Sequence, residues 1–103
     1  MLNNVVLVGR LIASVELTED DKERKNAKIV LAIPRPYKND NGEYDTDFIE
    51  CVLYNGIAQN TAEYCKKGDL IGIKGRIQGV DGKMIIIAEK VTFLSSKQEK
   101  EED

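Results

Sequence analysis

The stretch Asp47-Phe48-Ile49-Glu50-Cys51-Val52-Leu53-Tyr54-Asn55 alternates so that its side chains fall into two sets calling for opposite environments. A strand sends successive side chains to opposite sides of a sheet, so Ile49, Cys51 and Leu53 share one face and Phe48, Glu50, Val52 and Tyr54 the other. The first set is a core. The second puts two aromatic rings beside a carboxylate, which suits a wet surface, and their six-residue spacing separates them by roughly 20 Å along an extended strand. Rings so placed can each stack a base. The competing interpretation is that Phe48 and Tyr54 are ordinary sheet residues, because aromatic side chains are enriched in strands in any case.

At 103 residues the chain is long enough for one core and too short for two. It has no apolar run near the ~20 residues that span a bilayer, and Met1-Leu2-Asn3-Asn4 lacks the basic-then-apolar layout of a signal peptide, so a cytosolic protein is expected. Two cysteines are too few for a disulfide framework, and Cys51 lies on the apolar face of the strand; both are expected to be reduced and buried. Histidine is absent, which removes the commonest metal ligand and general base. With no metal cluster, phosphate loop or base-paired nucleophile either, neither an enzyme nor a cofactor is expected. The net charge of −3 argues against nucleic acid only until the charges are located. Of 15 basic and 18 acidic residues, the last seven positions hold two and four, leaving 13 and 14. A field is made by distribution, not by the sum.

Residues 3–16, rich in Val, Leu and Ile, predict one long first strand, in which Gly9 marks a bend, a bulge or a close backbone approach. The mixed-sign segment 19–25 is a solvated loop. Residues 27–33 form a second strand that stops at Pro34-Arg35-Pro36. Segment 37–44 is a projecting hairpin tip, with Asn41-Gly42 favouring positive φ. After the third strand, at 46–54, Ile57, Ala58, Thr61, Ala62 and Cys65 recur at helical spacing, with Lys66-Lys67-Gly68 as a cationic end and glycine stop. A fourth strand sets Ile71, Ile73 and Ile77 against Lys74, Arg76 and Gln78, so the wet face becomes positive. Asp81-Gly82 is a tight hairpin turn. A fifth strand, 84–93, places Phe93 in the core or at the barrel closure.

Three strands, a helix and two strands, with a glycine in the first strand, suggest an all-β chain with one short helix, folded as a five-stranded Greek-key OB-fold barrel over residues 1–95. Residues 96–103 are expected to form an acidic, disordered tail. Several stretches resemble the bacterial single-stranded DNA-binding protein family: Asn4-Val5-Val6-Leu7-Val8-Gly9-Arg10-Leu11, Arg35-Pro36-Tyr37-Lys38-Asn39 leading to Gly42-Glu43, Asp47-Phe48-Ile49 with Tyr54, Lys66-Lys67-Gly68-Asp69, Gly75-Arg76-Ile77, and Glu89-Lys90-Val91 with Phe93-Leu94. The match runs in order through about nine tenths of the chain.

The resemblance implies sequence-tolerant binding of single-stranded DNA in replication, recombination or repair, in the cytoplasm with the nucleoid. Tyr37, Phe48 and Tyr54 fall where the family places base-stacking aromatics, and Arg10, Arg35, Lys74 and Arg76 fall near its DNA path. Two departures stand out. The hairpin between the fourth and fifth strands is short and carries no ring, and the terminal acids lack the Pro-Phe through which many members recruit enzymes, so recruitment through the tip is not expected. The apolar first strand would expose an edge, which symmetric pairing with a second copy resolves; the resemblance extends this to a homotetramer. The alternative function is an OB-fold adaptor similar to the primosomal replication protein N family, acting chiefly through protein contacts.

Overall fold

The computed structural model describes residues 1–96; the expected acidic tail lies almost wholly outside them. In chain order the elements are β1 (Val5–Leu11), β2 (Leu17–Glu19), β3 (Lys25–Lys38), β4 (Tyr44–Tyr54), α1 (Asn55–Tyr64), β5 (Leu70–Val80) and β6 (Lys83–Ser95). They hydrogen-bond in the order β1-β5-β6-β4-β3-β2, and a further β1–β3 pairing closes the ring. Five strands therefore make a closed barrel with β2 attached outside it to β3, the Greek-key OB architecture. All pairings are antiparallel except a short parallel seam, Cys51 with Ile86 and Val52 with Ile87.

Alternation decides what lies inside. Ile29, Leu31, Cys51, Leu53, Ile71 and Ile73 are all buried in one cluster with Ala58 of α1. Each fully buried Leu or Ile side chain contributes about 1.5–3 kcal/mol, several times an exposed ion pair, so this cluster sets the stability. Both cysteines are free and buried, and burial pushes the Cys51 thiol up to about 12. Among the described residues no helix is long and apolar enough to cross a membrane.

The predicted first strand is broken. Arg10 is Cα partner to Leu70 of β5 and to Ala32 of β3, and Ile12 N–H donates to the Val30 carbonyl at 3.3 Å as the chain leaves the ladder. Gly9 permits this change of partner, because a Cβ there would stand 2.8 Å from Ile33 and 2.9 Å from the Ala32 carbonyl. The close approach expected of this glycine is present.

The second strand does not stop at the prolines. The Val30 carbonyl faces β1, so the N–H groups of even-numbered β3 residues face that side too. Pairing with β1 ends at Ala32, and the missing donors of Pro34 and Pro36 therefore fall on an open edge, with a register shift between Pro34 and Lys38. In the tip, only Gly42 has positive φ; its N–H donates to the Asn39 carbonyl, and Asn39 Oδ1 accepts the N–H groups of Asn41 and Glu43. This is a type I turn followed by a glycine bulge rather than an Asn-Gly mirror turn. Asp81 and Gly82 do both take positive φ.

The helix ends at Tyr64, capped by an extended Cys65. Gly68, with φ of 92°, serves the next turn, in which Asp69 N–H donates to the Lys66 carbonyl at 3.0 Å and the Asp69 carboxylate accepts Lys66 N–H at 2.8 Å. The β5–β6 hairpin, expected to be short, instead runs beyond the core to the Asp81-Gly82 turn, which leaves Ile77 41% exposed. Phe93 is half exposed at a cleft with Tyr64 and Cys65, not a core residue.

At Gly75, a Cβ would overlap the Ile87 backbone carbonyl, while one at Gly72 would meet nothing nearer than 3.7 Å. Gly75→Ala is expected to cost about 3 kcal/mol, and Gly72→Ala to stay within about 0.5 kcal/mol. Urea unfolding of both variants checks this.

Candidate nucleic-acid interface

The outward side of β3, β4, β6 and β5 is a continuous curved surface whose rows follow from register. Tyr54 stands opposite Asn26, Val52 between Lys28 and Ile87, Glu50 opposite Val30, and Phe48 opposite Ala32; Ile87 in turn faces Arg76. Directly opposed residues share a face, so Phe48, Glu50, Val52 and Tyr54 all point outward as the alternation predicts. Phe48 is 63% and Tyr54 47% exposed. Two strand spacings put Arg76 about 10 Å from Val52.

The predicted cations are unequally available. Lys74 is exposed, stands directly opposite Lys90, and has no ion-pair partner among the described residues. Like charges in that position repel until an anion lies between them. Arg76 reaches Glu89 and Gln78 only at 3.4 Å. Arg10 donates to the Gly68 carbonyl at 3.0 Å and stands on the rim of a groove of about 620 Å³, lined by Val8, Ala32, Pro34 and Thr46, that runs beside Phe48.

Arg35 is placed differently. Its guanidinium grips Asp47 through Nε at 3.1 Å and Nη2 at 2.9 Å, and Asp45 lies at 3.8 Å. Asp47 shares the face of Ile33 and Ile49, the continuation of the core side beyond the barrel, opposite to Phe48. Hydrogen bonding to Arg35 holds the Asp47 carboxyl below its ordinary range, and the Arg35 guanidinium is raised in turn. Tyr37 is exposed near the end of β3, in the hairpin arm outside the barrel.

Sequence reasoning passed over four residues on this surface. Tyr44, exposed and on the same side of β4 as Phe48, has the Lys38 ammonium 5.8 Å from its ring centroid. Lys28 and Lys83 hold the two oxygens of Glu50 at 3.2 and 3.7 Å. Lys90 is the partner of Lys74. Parity would have found Tyr44 had the strand been extended two residues earlier. Lys90 is harder, because an irregularity at Glu89 resets the parity of β6: Lys74 pairs with Lys90, but Gly75 with Ala88. That irregularity leaves Lys74 and Arg76 both on the outer side. Among the described residues no cluster of carboxylates or thiols could hold a metal ion.

Comparison with known proteins gives one answer. The model of the Single-strand binding protein family matches residues 2–84. Single-stranded DNA-binding protein 3 of Listeria innocua is 46% identical over 107 aligned residues, covering 95% of this chain and 67% of the relative. Single-stranded DNA-binding protein 1 of Lactococcus lactis is 50% identical over 78 residues, covering 76% and 52%. The crystal structure of a deletion mutant of the single-stranded DNA binding protein from Thermus aquaticus superposes with a TM-score of 0.74 at 22% identity, over 91% of this chain and 51% of that one. The chain thus spans about half to two thirds of the length of these relatives, and it belongs to the single-strand binding protein family.

Proposed function

We propose that this chain binds single-stranded DNA, tolerating many sequences, and sequesters it during replication, recombination or repair as a binding protein rather than an enzyme, in the cytoplasm with the nucleoid. The observation that carries the reading is the pair of exposed rings, Phe48 and Tyr54, on one outward sheet face. Every base has a π-face, so stacking is indifferent to sequence and contributes roughly 1–3 kcal/mol per base. Tyr37 and Tyr44 extend the stacking surface along the β3–β4 arm. Lys74, Lys90 and Arg76 neutralise phosphates, Arg10 adds charge at the groove beside Phe48, and Arg35 braces the arm through its carboxylates. An adaptor working through protein contacts has no need of rings beside an unneutralised lysine pair.

We also propose assembly into a homotetramer, as a dimer of dimers. β1 pairs with β5 along its length but with β3 only at Arg10 and Leu11, leaving one edge open before them. Val6 and Val8 of β1 are exposed beside that edge. An open edge beside an apolar face invites self-association, and several copies give one DNA strand several stacking faces without new contacts.

Phe48→Ala and Tyr54→Ala are each expected to weaken oligo(dT) binding by about 1–3 kcal/mol with unchanged unfolding midpoints. Loss of cooperative unfolding at constant affinity per folded molecule would return both rings to a structural role. The slope of log affinity against log salt should fall in magnitude by about 0.7 in Lys74→Ala, in which one phosphate is no longer neutralised, and stay unchanged in Arg35→Ala, whose charge is already committed to Asp47. Sedimentation equilibrium at micromolar protein should find a tetramer, and a monomer would remove the assembly proposal.

A further inference from the structure

Glu50 stands on the surface where the bound strand is placed, two residues from Phe48 and four from Tyr54, so about 7 and 14 Å from them along β4. A carboxylate there opposes a polyanion. Lys28 from β3 holds Oε2 at 3.2 Å and Lys83 from β6 approaches Oε1 at 3.7 Å, while the Glu50 side chain is only 25% exposed. Exposed ion pairs add at most about 1 kcal/mol, so bracing the sheet is a weak reason for a negative charge between two stacking rings. The two lysines do more for orientation than for stability: they hold the carboxylate from both flanking strands and offset its repulsion of phosphate.

What remains is directional chemistry. An ionised carboxylate only accepts hydrogen bonds, and each oxygen has two lone pairs, so one on each remains after the lysines are served. Cytosine, adenine and guanine each present an exocyclic amino donor, whereas both exocyclic groups of thymine are carbonyl acceptors that a carboxylate repels and that flank its single ring N–H. We infer that Glu50, held by Lys28 and Lys83 between Phe48 and Tyr54, is a specificity-determining residue that biases an otherwise tolerant surface toward amino-bearing bases, cytosine in particular among pyrimidines. The hydrogen bond from Lys28, then its charge and that of Lys83, outweigh burial and lower the Glu50 carboxyl from its ordinary value, keeping it ionised at neutral pH.

The inference rests on the single-strand binding reading, and the test separates the two. Affinities of the full chain for oligo(dC), oligo(dT) and an oligomer of N4,N4-dimethyl-2′-deoxycytidine, which lacks the donor, are measured at one length and salt for the parent and Glu50→Gln. The glutamine is close in size and keeps the strand intact, and the modified oligomer probes the same contact without touching the protein. The ratio of the oligo(dT) to the oligo(dC) Kd should fall about fivefold in Glu50→Gln, the low end of the range for one base contact. Methylation should weaken binding to the parent by a similar factor and to the variant by clearly less, since glutamine keeps only a neutral acceptor and adds a donor that suits thymine O4. A variant that shifts all three affinities by one common factor, or a parent indifferent to methylation, would overturn the inference while leaving single-strand binding intact. A parent that binds none of the three would instead remove the reading on which the inference rests.

Discussion

Everything else in this molecule depends on β1 serving two sheets. At Arg10 the strand is opposite both Leu70 and Ala32, and that double engagement closes the ring. Two backbones can come this close only because Gly9 carries no side chain. Once the ring is closed, alternation becomes unambiguous: inward positions of every strand meet in one cluster, and each outward position has a fixed neighbour on either side. The aromatic rings of β4 are exposed because Ile49, Cys51 and Leu53 are committed to the interior, not because anything selects exposure for them.

An acidic chain presents usable positive charge because it spends its carboxylates locally. Asp45 and Asp47 are turned toward Arg35, Asp20 toward Arg24, and Glu50 toward Lys28 and Lys83. Lys74 and Lys90, directly opposed, have no such partner among the described residues. The potential near the outer surface of β5 and β6 is set by this pair over a Debye length of about 10 Å, and net charge says little about it.

Much of this was legible in the sequence where one physical rule acted alone. The faces of β4, the Asp81-Gly82 turn, the helix and the barrel all followed from periodicity and turn chemistry. The misses came where two rules competed. Prolines end a ladder only if their missing donors face a partner, and at Pro34 and Pro36 the side that would need them is open, so β3 continues into an arm. Lys66-Lys67-Gly68 looks like a helix terminus, but the Asp69 carboxylate captures the Lys66 N–H and makes a separate turn. The placement of Arg35 on the far face from Phe48 continues the parity of Ile29, Leu31 and Ile33, and it was missed because the expected strand ended at residue 33. Lys90 was hidden by the irregularity at Glu89. Side-chain parity survives only as far as the first unpaired residue.

The two long hairpins, β3–β4 and β5–β6, meet through a parallel seam of only two residue pairs, Cys51 with Ile86 and Val52 with Ile87. Parallel pairing is slightly weaker per residue than antiparallel, so this seam and the equally short β1–β3 pairing are the two weakest joints of the ring. The rings lie on one side of the parallel seam, and Lys74, Lys90 and Arg76 on the other. A polymer gripping both sides acts as a strap across the joint and stabilises the closed form by mass action.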